Sequence, residues 1–229
     1  YLQNQPDEEI RKRFEKLRPY HFRKVQQGTW TRDGTKNLEL AREATGELIE
    51  KLQQRYRWSL EEVVENIAKE HFNEEEILFG ATLGGAIGKV YLGSPSAATI
   101  DYLQNHPDEE IRKRFEKLRP YHFGRVPRGT WTKEDGTKNY EIAREATGEL
   151  IENLQQRYGW SLEEVVENIQ HKHIGEEIRI GATLVGAIGT VYRGSPSEAV
   201  MDYLQNHPDE EIRKRFEKLR PYHFKKAQQ

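Results

Sequence analysis

The chain has 229 residues and carries 36 Lys and Arg against 38 Asp and Glu, which gives a formal net charge of −2. This balance excludes a polycation whose whole surface would bind nucleic acid. The absence of cysteine excludes disulfides, a thiolate metal site and a cysteine nucleophile, and it is compatible with the cytoplasm. No uncharged apolar run approaches the roughly 18 residues of a membrane-spanning helix, so we expect no membrane span.

The chain opens on a stretch that occurs three times. YLQNHPDEEIRKRFEKLRPYHF occupies residues 102–123 and recurs letter for letter at 203–224, while the copy at 1–22 has Gln5 where the second copy has His106. The residues between the copies also align, with two single-residue indels that cancel, so the period is 101 residues. A period of this length indicates units that each bury their own core, rather than a short-period solenoid.

This register predicts the organisation of the chain. Each repeat unit is expected to be a bundle of about five helices, so the predicted fold is all-α with tandem repeats of about 101 residues. The predicted domains are residues 1–22 as the C-terminal helix and tail of a preceding repeat unit, residues 23–123 and 124–224 as two helical repeat units, and residues 225–229 as a tail.

The first two helices of each unit are predicted from apolar spacing and from capping signals. NLELAREATGELIEKLQQRY has the helical period, and its predicted buried face consists of Leu38, Ala41, Leu48, Leu52 and Tyr56. The second helix begins after a capping box and a hydrophobic staple. These signals are Ser59 with Glu62 and Trp58 with Val63 in the first unit, and Ser161 with Glu164 and Trp160 with Val165 in the second.

The next segment is rich in glycine and fits either a helix or a strand. EILFGATLGGAIGKVYLG and EIRIGATLVGAIGTVYRG each carry several glycines, and a glycine inside a helix costs about 0.8–1 kcal/mol relative to alanine. Ala81 and Gly85 are four residues apart, and small residues at that spacing let a second helix approach closely. We predict the buried central helix of the bundle here, with another backbone close to Gly85 and Gly186.

The last two helices of each unit have clear start signals. Ser195 and the proline after it predict the start of one helix. Pro107 is predicted to open the other helix, with acidic residues in its first turn, and Pro120 is predicted to stop it. The remaining segment, RPYHFGRVPRGTWTKEDGT, is predicted as a loop that carries Trp131, as the first unit's loop carries Trp30.

Two candidate ligand sites have simpler explanations. GATLGGAIG lacks both the lysine and hydroxyl of a P-loop and the spacing of a dinucleotide-binding fingerprint, so close helix packing accounts for its glycines. His171 and His173 form an H-x-H pair that the first unit does not share, and no Glu-x-x-His set of the di-iron type accompanies it. We therefore expect solvated loop histidines, no metal site and no cofactor.

Catalysis is weakly indicated as well. Glu43 and Glu47, like Glu145 and Glu149, lie one helical turn apart, a spacing more typical of a solvated helix face than of a catalytic pair. No serine or threonine stands with a histidine and an acid at a recognisable spacing, so we predict that the protein is not an enzyme.

Nucleic-acid binding remains an alternative. RYGWSLEEVVENI suggests part of a helix-turn-helix, but its glutamates would face phosphates. The repeated stretch is the better candidate, because residues 111–125 carry a net charge of +5 and include three aromatic side chains, Tyr121, His122 and Phe123, that could stack on bases.

Charge is segregated within each unit, and this pattern suggests how units could meet. Residues 37–76 and 139–177 each carry a net charge of −6, against +5 at residues 111–125. A basic end that meets the acidic front of the next unit makes a head-to-tail contact, which repetition extends into a chain. The predicted interaction residues are the basic Arg112, Lys113, Arg114 and Lys117, the apolar Phe115, Tyr121 and Phe123, and the acidic Glu145, Glu149 and Glu152.

The preferred function is a structural or interaction repeat protein that assembles head to tail, with itself or neighbouring repeat units as partner. The alternatives are a nucleic-acid-associated module that uses the basic helix and its aromatic tail, and a small-molecule carrier with a pocket in each unit.

Overall fold

The structure, a computed structural model, describes residues 8, 15, 17–22, 28–32, 35–77, 81–176, 178, 180 and 183–224. Within these residues the chain forms twelve α-helices, and the strands found there are two residues long. The predicted all-α class is therefore confirmed. The chain divides into two compact units, Tyr1–Leu118 and Arg119–Gln229.

In the first unit, a 3₁₀ turn and a short antiparallel hairpin precede six helices. The elements are η1 (Pro19–His21), β1 (Thr31–Arg32), β2 (Thr35–Lys36), α1 (Leu38–Tyr56), α2 (Leu60–Asn66), α3 (Lys69–Glu74), α4 (Gly84–Val90), α5 (Pro95–Gln104) and α6 (Glu109–Phe115). Helix α1 packs against α2, α4 and α5, and α5 packs against α6. The long first helix is therefore the centre of the bundle.

In the second unit, an isolated bridge between Thr132 and Lys138 stands in place of the hairpin. The elements are η2 (Pro120–His122), α7 (Tyr140–Tyr158), α8 (Leu162–Asn168), α9 (His171–Ile174), α10 (Val185–Thr190), α11 (Pro196–Gln205), α12 (Glu210–Phe216) and η3 (Pro221–His223). Helix α7 packs against α8, α10 and α11, while α11 packs against α12 and η3.

The division into compact units and the sequence register separate the chain at different residues, and the predicted domain bounds stay a prediction. The second unit begins at Arg119, so residues 119–123 group with the elements that follow them, whereas the register assigns them to the unit before. The alignment of a tandem repeat is equally good for any shift of the starting point, so it cannot locate a boundary. Most of the predicted domain 1–22, and all of the predicted tail 225–229, lie outside the described residues.

The apolar face predicted for the first helix is buried along its middle. Ala41, Leu48 and Leu52 are fully buried, whereas Leu38 and Tyr56, at the two ends of the helix, are exposed. Burial of such a stripe against α4 and α5 stabilises α1 more than helix propensity does.

Among the described residues, each unit has six helices where the sequence predicts about five. The additional helices, α3 and α9, span six and four residues, which is too short to show a helical period. Ile67, with an extended backbone, separates α2 from α3. A histidine then caps the new helix, since Nδ1 of His71 accepts the backbone N–H of Ala68 at 3.0 Å and His173 makes the same kind of bond in α9.

The glycine-rich segment contains a helix that is shorter and less buried than predicted. Ala81 lies before α4, not on it, and α1 rather than α4 is the central helix. The predicted approach of another backbone is wrong, because the neighbour is an indole ring. A Cβ on Gly85 would meet Nε1 of Trp30 at 3.0 Å, and one on Gly186 would meet Nε1 of Trp131 at 2.6 Å.

The start predicted for α11 is confirmed, but the bounds predicted for α6 are not. Oγ of Ser195 accepts the backbone N–H of Glu198 at 3.2 Å, and Pro196 occupies the first position of the helix. Helix α6 begins after Asp108, whose carboxylate accepts the N–H of Glu110 at 2.8 Å. The predicted start at Pro107 is therefore wrong, since the aspartate is the N-cap. The helix also ends well before the proline predicted to stop it, which opens η2 instead.

The capping box predicted for the second unit is confirmed. Oγ of Ser161 accepts the N–H of Glu164 at 3.2 Å, and the N–H of Ser161 donates to Oε2 of Glu164 at 2.8 Å. Trp160 packs against the core while partly exposed, with its ring edge-on to that of His173 at 5.4 Å.

We expect Trp160→Ala to lower the free energy of unfolding by about 1–3 kcal/mol, because truncation of a fully buried tryptophan costs about 3–5 kcal/mol and this ring is partly exposed. Urea denaturation followed by circular dichroism measures the change. Trp58→Ala is the matched variant in the first unit and should have a similar effect. An unchanged midpoint in both variants would contradict the packing role of this ring.

Candidate interaction site on the first helix of each unit

The tail of the repeated stretch folds into a 3₁₀ turn that caps itself. We name the segments 18–22, 119–123 and 220–224 the RPYHF turns. In each of them proline occupies the first position of the turn, where its missing N–H costs no hydrogen bond. The histidine then accepts the backbone N–H of the arginine through Nδ1, at 3.1 Å in the first copy, 3.0 Å in the second and 2.9 Å in the third.

The first RPYHF turn lies on two glutamates of α1. Nε of Arg18 donates to Oε1 of Glu43 at 2.8 Å. The hydroxyl of Tyr20 donates to Oε1 of Glu47 at 3.0 Å, and Nε2 of His21 lies 2.6 Å from Oε2 of the same glutamate. Both oxygens of one carboxylate are therefore used, which fixes the orientation of the turn as well as its position.

The second RPYHF turn repeats this arrangement on α7. Nε of Arg119 donates to Oε1 of Glu145 at 2.7 Å. The hydroxyl of Tyr121 donates to Oε1 of Glu149 at 3.2 Å, and Nε2 of His122 lies 2.7 Å from Oε2 of Glu149.

A tryptophan completes the surface that receives each turn. The ring of Tyr20 stacks on that of Trp30 with centroids 5.9 Å apart, and the rings of Tyr121 and Trp131 stack at 5.8 Å. We name the two glutamates with this tryptophan the acceptor face, which consists of Glu43, Glu47 and Trp30 in the first unit and of Glu145, Glu149 and Trp131 in the second.

The tyrosines are buried against carboxylates. Tyr20 is 0% exposed and Tyr121 is 1% exposed. Burial raises the pKa of both hydroxyls far above the usual range, and the negative charge of the neighbouring glutamate raises it further. Both tyrosines are therefore neutral near neutral pH and act as hydrogen-bond donors to the glutamates.

The third RPYHF turn has the same fold but a different environment. Tyr222 is 72% exposed, and among the described residues its hydroxyl has no hydrogen-bond partner. His223 is exposed as well. The guanidinium of Arg220 donates to the backbone carbonyl of Leu219 at 2.8 Å instead of to a glutamate. The turn is thus formed without an acceptor face.

The four predicted basic residues make contacts within the first unit or face solvent. Nη1 of Arg112 donates to the carbonyl of Pro107 at 2.9 Å. Lys113 forms an exposed ion pair with Glu109, one turn away, at 2.8 Å. Arg114 forms an ion pair with Glu61 on α2, and Lys117 is exposed. Their predicted contact with a neighbouring unit or molecule stays a prediction.

The predicted apolar and acidic residues are brought together in part. Phe115 and Phe123 are buried, at 1% and 2% exposure. Tyr121 binds the acceptor face of the second unit, to which Glu145 and Glu149 belong. Glu152 is exposed, and its charge contributes, after burial, to a raised pKa of Tyr203 on α11.

The expected solvated face is formed in part, since Glu43 and Glu145 are exposed while Glu47 and Glu149 are partly buried. These glutamates receive the arginine, tyrosine and histidine of the RPYHF turn, and not the basic residues of the preceding helix. One sequence signal could have identified them, since REATGELIE, which carries both glutamates, is as invariant between the units as RPYHF itself. Two invariant segments of complementary charge are candidates for mutual contact.

The two histidines of the second unit differ in burial. His173 is buried on α9, whereas His171 is exposed, so the expected solvated loop is wrong for His173. Burial lowers the pKa of His173. Within the part of the chain that the structure describes, no three His, Asp or Glu side chains gather as metal ligands. Gly80 and Gly181, the first glycines of the phosphate-loop candidates, lie outside that part.

No described helix has the length and apolar character needed to span a membrane. Comparison of the chain with protein-family models, curated proteins and solved structures finds no match. The RPYHF turns and their acceptor faces are therefore the features of the molecule that indicate a function.

Proposed function

We propose that the protein is a structural or interaction repeat protein, made of tandem helical bundles of about 101 residues, in which each RPYHF turn joins one bundle to the next. The observation that carries this proposal is the composition of the second unit's core. It contains Tyr121, from the turn before α7, and Phe224, from the turn after α12. One bundle thus uses the tyrosine of one turn and the phenylalanine of another.

The second turn follows the first unit directly in the chain. Leu118 is 1% exposed, and its carbonyl accepts Nε2 of Gln104 at 3.1 Å in the first unit. The next residue, Arg119, pairs with Glu145 in the second unit. A turn whose side chains pack in this way has little freedom to change, so the proposal also accounts for the identity of the stretch among its copies.

The same contacts favour this function over the nucleic-acid alternative. In the second turn Tyr121, His122 and Phe123 are all buried, so their rings are not available for stacking on bases. The acceptor glutamates already bind the turn, which supports a non-enzymatic role for them. The proposed partners are neighbouring units, in the same chain or in another molecule.

Equilibrium unfolding tests whether the turn couples the bundles. In a repeat array, stability is the sum of the intrinsic stability of each unit and the interaction between neighbours. We expect the wild-type protein to unfold in urea in one transition. The double variant Tyr121→Ala, His122→Ala should unfold in two transitions, because it lacks the side chains that bind the turn to its acceptor face. Tyr222→Ala with His223→Ala is the matched control and should keep one transition. Two independent transitions already in the wild type would contradict the proposal.

A further inference from the structure

The third RPYHF turn is already in its binding conformation. Arg220 has φ −136° and ψ 157°, close to the −129° and 160° of Arg119 in the turn that is bound. Leu219 and Phe224, on either side of the turn, are buried in the second unit. Binding would therefore not require the ordering of a flexible segment, and a preorganised ligand binds more tightly for the same contacts.

The three turns differ in which ring is covered. In the first, the tyrosine is buried and Phe22 is 44% exposed, whereas in the second both rings are buried. In the third, Phe224 is buried and Tyr222 is exposed. The groups left open in the third turn are the tyrosine, the histidine and the arginine, which are the groups that bind an acceptor face in the other two.

We infer that the third RPYHF turn binds the acceptor face of a second copy of this chain, through Tyr222 and His223 to Glu47 and through Arg220 to Glu43. This inference rests on the proposed function and names the partner of its connector. The occupant follows from the two bound turns, which both lie on a pair of glutamates one helical turn apart with a tryptophan beside them. Such a contact is head-to-tail, so it extends into an open chain.

The chain's own first turn competes for the same face. A segment tethered to its site has an effective concentration on the order of millimolar, so the wild-type protein should assemble weakly at micromolar concentration. Removing the side chains of the first turn should release the acceptor face for the third turn of another copy.

The experiment compares masses by analytical ultracentrifugation. Tyr20→Ala with His21→Ala should associate into species whose masses are multiples of 26.9 kDa and increase with concentration. Adding Tyr222→Ala with His223→Ala to that variant should return it to a single 26.9 kDa species. Association that persists in the combined variant overturns the inference, as does a folded first variant that stays at 26.9 kDa up to about millimolar concentration.

A milder variant covers the case in which the double replacement unfolds the first unit. Tyr20→Phe keeps the packing of the ring and removes the hydrogen bond to Glu47, so the third turn gains roughly a five- to tenfold advantage over the first. The increase in association should again depend on Tyr222. Binding of a single-stranded oligonucleotide that requires Tyr222, with no association of the chain, overturns the inference in favour of nucleic acid.

The two proposals fail separately. If the wild-type protein unfolds in two independent transitions, the RPYHF turn is not a connector and this inference has no basis. Coupled unfolding together with a monomeric Tyr20→Ala, His21→Ala variant leaves the connector in place and removes the second copy as its partner.

Discussion

Tyr121→Ala is expected to lower the free energy of unfolding of the second unit by about 3–5 kcal/mol, whereas Tyr222→Ala is expected to change it by less than about 0.5 kcal/mol. The two tyrosines stand in identical 22-residue stretches, so local sequence and turn propensity are the same for both. They differ in exposure, at 1% against 72%, and in the contacts of Tyr121 with Trp131 and Glu149.

Urea denaturation of the two variants beside the wild type measures the difference. Tyr121→Phe is the intermediate variant, because it keeps the stacked ring and removes the hydroxyl. Its free energy of unfolding should fall by about 1 kcal/mol or somewhat more, because Glu149 then loses one of its hydrogen-bond donors. Similar destabilisation by Tyr121→Ala and Tyr222→Ala would show that the acceptor face contributes little to stability.

Gly186→Ala is expected to destabilise the second unit by about 1–3 kcal/mol, whereas Gly189→Ala on the same helix is expected to be neutral or to stabilise it by up to about 1 kcal/mol. A Cβ on Gly186 would lie 2.6 Å from Nε1 of Trp131, closer than atoms pack, while a Cβ on Gly189 has nothing within 4 Å. Since Trp131 also stacks on Tyr121, the ring cannot move without disturbing the acceptor face.

Melting temperatures of the two alanine variants test this contrast. The indole N–H resonance of Trp131 provides a second measurement, and it should shift in the Gly186 variant and stay in place in the Gly189 variant. If both variants melt at the wild-type temperature, the tryptophan is not held against α10 and the close contact is not a constraint on the fold.

Much of the architecture follows from local signals in the sequence. The capping boxes at Ser59 and Ser161 and the serine–proline start of α11 are formed by residues within three positions of each other, so spacing alone identifies them. Errors arise where local signals compete or are absent. At α6, both Pro107 and Asp108 favour a helix start, and the aspartate is the N-cap because its carboxylate binds an N–H of the first turn.

The interaction site was harder to predict because its contacts are distant in sequence. Arg119 and Glu145 are 26 positions apart, and no periodicity relates a turn to the face of a later helix. Positive charge is concentrated on the basic residues of α6, but these make local contacts such as that of Lys113 with Glu109. The turn that binds the acceptor face carries less charge, and its specificity comes from burial and from the direction of its hydrogen bonds.

The histidine of the RPYHF turn has a consequence for proton placement. Nδ1 of His122 accepts the backbone N–H of Arg119, so this nitrogen carries no hydrogen, and the ring proton must sit on Nε2, where it is donated to Glu149. The imidazole thus bridges a backbone amide inside the turn and a carboxylate on the helix that receives it. The same ring therefore shapes the turn and presents it to its partner, so replacing this one side chain would remove both contacts at once.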